Sequence, residues 1–162
     1  MTFAVASFLF AAVPAAVAGG PVAVAPSSPL PARAGTKTEL SLAIEITPGF
    51  HVQANPASRP ELIPLSVRVT DAASLAVGTP QYPLGLSRRI DASPEPLSLY
   101  EGSVQVGLPI EVPVNVPPGE HIVRGAVRFQ ACDDRRCHLP STVPFAITVR
   151  VIGDRSPLEK RR

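Results

Sequence analysis

The sequence predicts an all-β protein, an antiparallel β-sandwich, from three observations. Apolar residues recur with period two in run after run, and no stretch carries a helical stripe. Proline is dense, at 20 of 162 residues, which disfavours long helices and suits short strands separated by turns. Apolar residues reach 45% with only 5% aromatic and no tryptophan. The single core expected for a chain of this length is therefore aliphatic.

The chain opens on an uncharged apolar run, Phe3 to Ala18, ending in Ala16-Val17-Ala18. The run is too short for a comfortable membrane span and ends in the small-x-small pattern that signal peptidase cuts. Residues 1–18 are read as a signal peptide, or as an anchor if left uncleaved, since no Lys or Arg precedes them. No cysteine follows the run, which excludes a lipid anchor there. The domain is therefore expected outside the cytoplasm, in the periplasm, where paired cysteines can stay oxidised. Residues 19–36, "GGPVAVAPSSPLPARAG" and Thr36, read as a Pro/Ala-rich linker without periodicity, with order beginning near Thr36.

The sandwich is expected over 37–152. Leu40, Leu42, Ile44 and Ile46 alternate with polar residues and form the first inward set, and Pro48-Gly49 turns the chain. Ile63, Leu65, Val67 and Val69 form the second. From Val104 to Val116 every even residue is a large aliphatic, with Pro109 and Pro113 on the opposite phase, which marks an edge or a bend. After the turn Pro117-Pro118-Gly119, the inward sets are Val123, Val127, Phe129 and Ala131, then Val143, Phe145, Ile147, Val149 and Val151. About seven strands result, joined by turns. The Cys…Trp…Cys spacing of antibody domains is absent, so any immunoglobulin likeness is architectural. Residues 153–162 read as a basic, solvated tail. The formal charge is +2, with no basic face interleaved with aromatics, so nucleic acid is not an expected partner. No glycine-rich phosphate loop and no serine–histidine–acid set stands out.

The chemistry concentrates in "RFQACDDRRCHLP", Arg128 to Pro140, which holds both cysteines of the chain, Cys132 and Cys137. Carried on from the preceding strand, the phase puts Cys132 outward. Both sulfurs are then expected near the surface, at the mouth of a loop. Four readings follow from the residues. A staple closing so short a loop contributes about 2 kcal/mol, little for a domain of this size. A metal site would draw on Cys132, Cys137, His138 and His121, but the spacing fits no common zinc pattern. Haem attachment would stretch C-x-x-C-H and lacks a clear pocket. A redox disulfide uses every feature of the loop. Arg135, Arg136 and His138 can stabilise a Cys137 thiolate, whereas Asp133 and Asp134 oppose one at Cys132.

This block resembles the end of the N-terminal periplasmic domain of the thiol:disulfide interchange protein DsbD. "VRGAVRFQACDDRRCHLPSTVPFAITV" carries the specific part, the Q-A-C-D-D-x-x-C-x-x-P pattern that includes Gln130. "ITPGFHVQANPASRPELIPLSV", "GTPQYPLG" and "EPLSLYEGSVQVGLPIEVPV" agree in order. The resemblance implies an immunoglobulin-like sandwich without a cofactor, whose two cysteines cycle between disulfide and dithiol. Electrons would come from a thioredoxin-like domain and pass to oxidised periplasmic proteins. The second cysteine of the motif exchanges, which carries onto Cys137, and Cys132 becomes the resolving partner. A cap loop covers the disulfide in the family, and its match is Leu97 to Gly102, with Leu99 and Tyr100 over the sulfurs. The sequence departs from some members by one residue fewer between the cysteines and by Leu99 where they carry an aromatic ring. Full-length members add a multi-span membrane domain and a thioredoxin-like domain, so a separate membrane thiol reductase is the expected electron source. The rival expectation is an immunoglobulin-like binding module whose disulfide does not cycle.

Overall fold

A computed structural model of the chain describes residues 20–90 and 93–153. The expected signal segment 1–18 and, apart from Gly153, the expected basic tail lie outside the described residues. Among the described residues there are twelve strands and no helix, and they form an immunoglobulin-like β-sandwich. The strands are β1 (Val22–Val24), β2 (Leu30–Arg33), β3 (Lys37–Ile46), β4 (His51–Gln53), β5 (Ser66–Asp71) and β6 (Ala76–Val77), followed by β7 (Leu86–Arg88), β8 (Leu97–Tyr100), β9 (Ser103–Glu111), β10 (Gly119–Phe129), β11 (Ala131–Cys132) and β12 (Ser141–Ile152).

Two sheets make the sandwich, in the orders β1-β3-β9-β6 and β2-β12-β10-β5. Alternation decides which side of each strand is buried. Leu40, Leu42, Ile44 and Ile46 of β3 and Val104, Val106, Leu108 and Ile110 of β9 are buried, while Glu39, Ser41, Glu45 and Gln105 are exposed. From the other sheet come Val123, Val127 and Phe129 of β10 and Phe145, Ile147, Val149 and Val151 of β12. Fully burying one such aliphatic side chain contributes about 1.5–3 kcal/mol, so this core dominates the stability of the domain.

Three expectations change. Order begins before Thr36: β1 pairs with β3, with Val22 opposite Ile46 and 1% exposed, and β2 runs parallel to β12 from Val149 to Ile152. The prolines of this stretch hid the strands, but an outermost strand tolerates a residue that cannot donate to the ladder. The Val104–Val116 ribbon stops at Glu111. Pro113 opens a turn in which Val116 N donates to Pro113 O at 3.2 Å, and Val114 is left 84% exposed. Ile63 precedes β5 and is half-buried, whereas Leu65 is fully buried and bonds back to Gln53 O at 2.9 Å.

The remaining strands form a third sheet, in the order β11-β4-β8-β7, at one end of the sandwich. Three of its strands continue the chain of strands in the other two sheets. β4 follows β3 after the turn in which Phe50 N bonds to Thr47 O, β8 leads into β9 through Gly102 at φ 65°, and β11 follows β10 after Gln130. Positive φ is the conformation glycine adopts without penalty.

Gly125 marks a tight point in β10. The ladder to β5 shifts register between Arg124 and Gly125, and a Cβ at Gly125 would run into the Arg68 carbonyl and the Phe145 ring. Gly125→Ala should destabilise the domain by about 1–3 kcal/mol, as overpacking of a dense core does. A denaturant midpoint unchanged from the parent would show that β5 and Phe145 give way freely.

Candidate functional site

The site forms where β10 leaves its sheet. Phe129 is the last residue paired with β12, opposite Ser141. After Gln130 the chain pairs instead with β4, Ala131 opposite Val52 and Cys132 opposite His51. Ala131, Val52 and Tyr100 form one row across the third sheet and belong to the main core. The alternation then turns Cys132 to the opposite face with His51. Cys132 is 4% exposed there, outside the main core cluster. The expected outward Cys132 is thus corrected: its phase takes it to the face opposite the main core, but that face is covered and not open to solvent. Cys137 is exposed, so only one of the two sulfur-bearing residues is near the surface as expected.

The two cysteines are joined, with Cα atoms 3.9 Å apart in an isolated antiparallel bridge. The loop between them is held by its own polar groups. Asp133 N donates to Arg136 O at 3.0 Å, and His138 N donates to Ala131 O at 2.8 Å. The Asp133 carboxylate accepts from Arg135 N at 2.8 Å and Arg136 N at 2.9 Å, a side-chain-closed turn. Its other oxygen faces His138 Nε2 at 3.1 Å. These donors, the two backbone amides first, lower the Asp133 pKa to about 2. Because an ionised carboxylate only accepts, His138 must carry its proton on Nε2. The His138 ring lies 5.5 Å from that of Phe50, and Gln130 Nε2 donates to His138 O at 2.9 Å. The histidine expected to assist Cys137 is therefore engaged by Asp133.

A cleft of about 270 Å³ runs along the disulfide, lined by Cys132 through Cys137 together with Arg89 and Ile90. Asp134, Arg135 and Arg136 are exposed on its rim. The resemblance put the cap at Leu97 to Gly102. In the structure, Leu97–Tyr100 is strand β8, and the residues beside the sulfurs come from the chain after β7. Tyr100 is buried on the core side, donating to Pro83 O at 2.7 Å and accepting from Asn55 N at 3.3 Å, and burial raises its pKa. Leu99 is fully buried opposite Gln53, on the face that carries Cys132. His121 is at the far end of β10, its ring nitrogens at 3.2 Å from Ala73 O and 2.9 Å from Pro117 O. Nine residues of extended chain, about 3.3 Å each, separate it from Gln130, so the four potential metal ligands are not brought together. Sequence reasoning passed over His51 and Gln53. Both are buried polar residues on the Cys132 face.

An immunoglobulin-like sandwich with a half-exposed disulfide at one end defines a class of domain suited to thiol–disulfide exchange. The family model for the thiol:disulfide interchange protein DsbD, N-terminal, matches residues 21–148, and the chain belongs to that family. Among solved structures, the N-terminal periplasmic domain of ScsB from Proteus mirabilis is similar at 8% identity and a TM-score of 0.44, over 80% of this chain and 44% of that one. A family 123 glycoside hydrolase from Clostridium perfringens is similar at 14% identity and a TM-score of 0.36, over 80% of this chain and 23% of that one. The chain spans less than half the length of either. No curated protein matches it.

The depressed Asp133 pKa makes a pH prediction. Its turn is stabilised fully above the ordinary carboxylate value near 3.8 and loses that stabilisation as pH falls through about 2. The amide resonances of Arg135 and Arg136 should therefore titrate with a midpoint near 2. A midpoint near 4 would mean that the carboxylate does not hold the turn.

Proposed function

We propose that this domain is a periplasmic thiol–disulfide exchange module, carrying electrons through Cys132–Cys137 between a thioredoxin-like donor and oxidised periplasmic proteins. The observation that carries the reading is the asymmetry of the pair, with Cys137 exposed beside an open cleft and Cys132 buried. Attack by an external thiolate needs a reachable sulfur and a departing one in line behind it. A donor thiolate attacks Cys137 Sγ, the Cys132–Cys137 bond breaks, and Cys132 leaves with the electron pair. The donor's second thiolate then attacks its own sulfur in the mixed disulfide and releases Cys137. Two electrons have moved to the domain. The same steps in reverse pass them to an oxidised partner, with Cys132 as resolving thiol. Arg136, exposed beside Cys137, favours the thiolate form. A membrane thiol reductase would supply the donor's electrons.

Cys132→Ser should form a stable mixed disulfide with a thioredoxin-like protein whose own resolving cysteine is removed, and Cys137→Ser should not. A non-reducing gel with mass mapping of the linked peptide reads this. Linkage through Cys132 would reverse the assignment, and no linkage by either variant would favour a binding module with a static disulfide.

The cycle also requires both redox forms to be folded. Opening so short a loop costs about 2 kcal/mol, far less than the sandwich core supplies. Reduced protein should keep its strand-rich circular dichroism and a cooperative melt. An unfolded spectrum on reduction would make the disulfide a staple.

A further inference from the structure

His51 is 6% exposed, and its Nε2 is buried without a hydrogen-bond partner. A buried polar group left unpaired costs about 1–3 kcal/mol, so such a nitrogen calls for a partner in some other state of the protein. His51 is the cross-strand partner of Cys132. Paired residues leave the same face of a sheet with Cβ atoms about 4.5–5.5 Å apart. The imidazole therefore leaves the sheet beside the sulfur of Cys132.

That sulfur has a difficulty the exposed one lacks. Burial disfavours a thiolate, yet Cys132 must be a thiolate each time the disulfide opens or closes. The cations of the cleft along the disulfide, Arg89 among them, are exposed to solvent. Arg135 and Arg136 are exposed at the outer end of the loop, and the His138 Nε2–H is held by Asp133. Imidazole is the side chain that gains and loses a proton near neutral pH.

We propose that His51 is the proton acceptor and donor for Cys132. This rests on the exchange reading above and assigns a role within it. When reduced domain has joined a partner through Cys137, His51 takes the proton from the Cys132 thiol. The Cys132 thiolate attacks Cys137 Sγ, the bond from Cys137 to the partner breaks, and the partner leaves with the electron pair. In the opposite direction the imidazolium returns its proton to the Cys132 thiolate as the disulfide opens. Besides Cys132, the titratable groups around His51 are Glu101 and Asp134, which line with it a cleft of about 390 Å³ that opens to solvent. The cleft is a route for the His51 proton.

The test is to mix the reduced full chain with oxidised glutathione, quench in acid, and follow the glutathione adduct on Cys137 by mass. In the parent the adduct should resolve quickly. In His51→Gln at pH 7 it should accumulate, with resolution slowed about tenfold or more, and the gap should close towards about pH 9.5, where thiols ionise unaided. Equal resolution at pH 7 would overturn the proposal and leave the exchange reading standing. So would a slowing that persists at every pH, which is the signature of a merely structural role. No adduct and no oxidation in either protein would overturn both. Should His51→Gln fail to fold, the parent supplies the second measurement. The midpoint of the His51 ring in a nitrogen NMR titration should differ between the disulfide and dithiol forms, and identical midpoints would overturn the proposal.

Discussion

A strand that outruns its neighbour carries N–H and C=O groups that must be paired elsewhere. That obligation shapes the working end of this domain. β10 reaches the end of its ladder with β12 at Phe129 and Ser141, and the chain goes on. The chain beyond β3 and the chain before β9 face the same demand. The three extensions meet as β11, β4 and β8 and satisfy one another. The resulting sheet has one face on the main core, through Ala131, Val52 and Tyr100. Its other face is left for Cys132, His51, Gln53 and Leu99. The position of the Cys132 sulfur is thus a consequence of backbone pairing before it is a matter of side-chain chemistry.

The same geometry separates the two sulfurs. They are five residues apart in sequence and bonded to each other, yet one residue belongs to a buried strand and the other to an exposed return. The charges between them are not free to act as sequence order suggests. The negative charge of Asp133 is met by Arg135 N, Arg136 N and His138 Nε2, so it opposes a Cys132 thiolate less than its adjacency implies. His138 is correspondingly drawn away from Cys137. What remains for the exposed sulfur is the cleft's arginines, Arg89, Arg135 and Arg136, and solvent. What remains for the buried one is the polar side of β4.

Period two was readable in β3, β9 and β12 because each of these strands is buried on one side only, and their inward sets are buried with Val143 half-buried. It was unreadable in the third sheet for the opposite reason. His51, Val52, Gln53 and Ala54 are all buried, and a strand covered on both faces shows no alternation. Strands of two to four residues carry too little pattern in any case. β1 and β2 were hidden by prolines that an outer strand tolerates. The phase argument for Cys132 named the right face and the wrong exposure: Ala131 stays on the core side and Cys132 opposite it, but that second face is covered as well. The family was legible through Gln130-Ala131-Cys132-Asp133-Asp134, since that order of residues does not depend on which way any of them points. His51 gave no such signal. Its significance lies in its register with Cys132, which only the fold reveals.

On the proposed exchange, the loop also accounts for how a buried Cys132 would return to Cys137. A thiol that must return to its partner repeatedly gains from being held close while the bond is open. Here the holding does not depend on the disulfide. His138 N to Ala131 O and Asp133 N to Arg136 O pin the strands on either side of the pair. Asp133 closes the turn between them, and Gln130 ties the return strand from the side. Each neutral bond of this kind is worth about 1 kcal/mol net, so together they rival the roughly 2 kcal/mol that the short cross-link supplies. The sandwich core lies behind them. A loop organised by its backbone and by one carboxylate is expected to keep Cys137 near Cys132 in either state. The residues that look like a charged, solvated loop in sequence are what keep the two sulfurs within reach of each other.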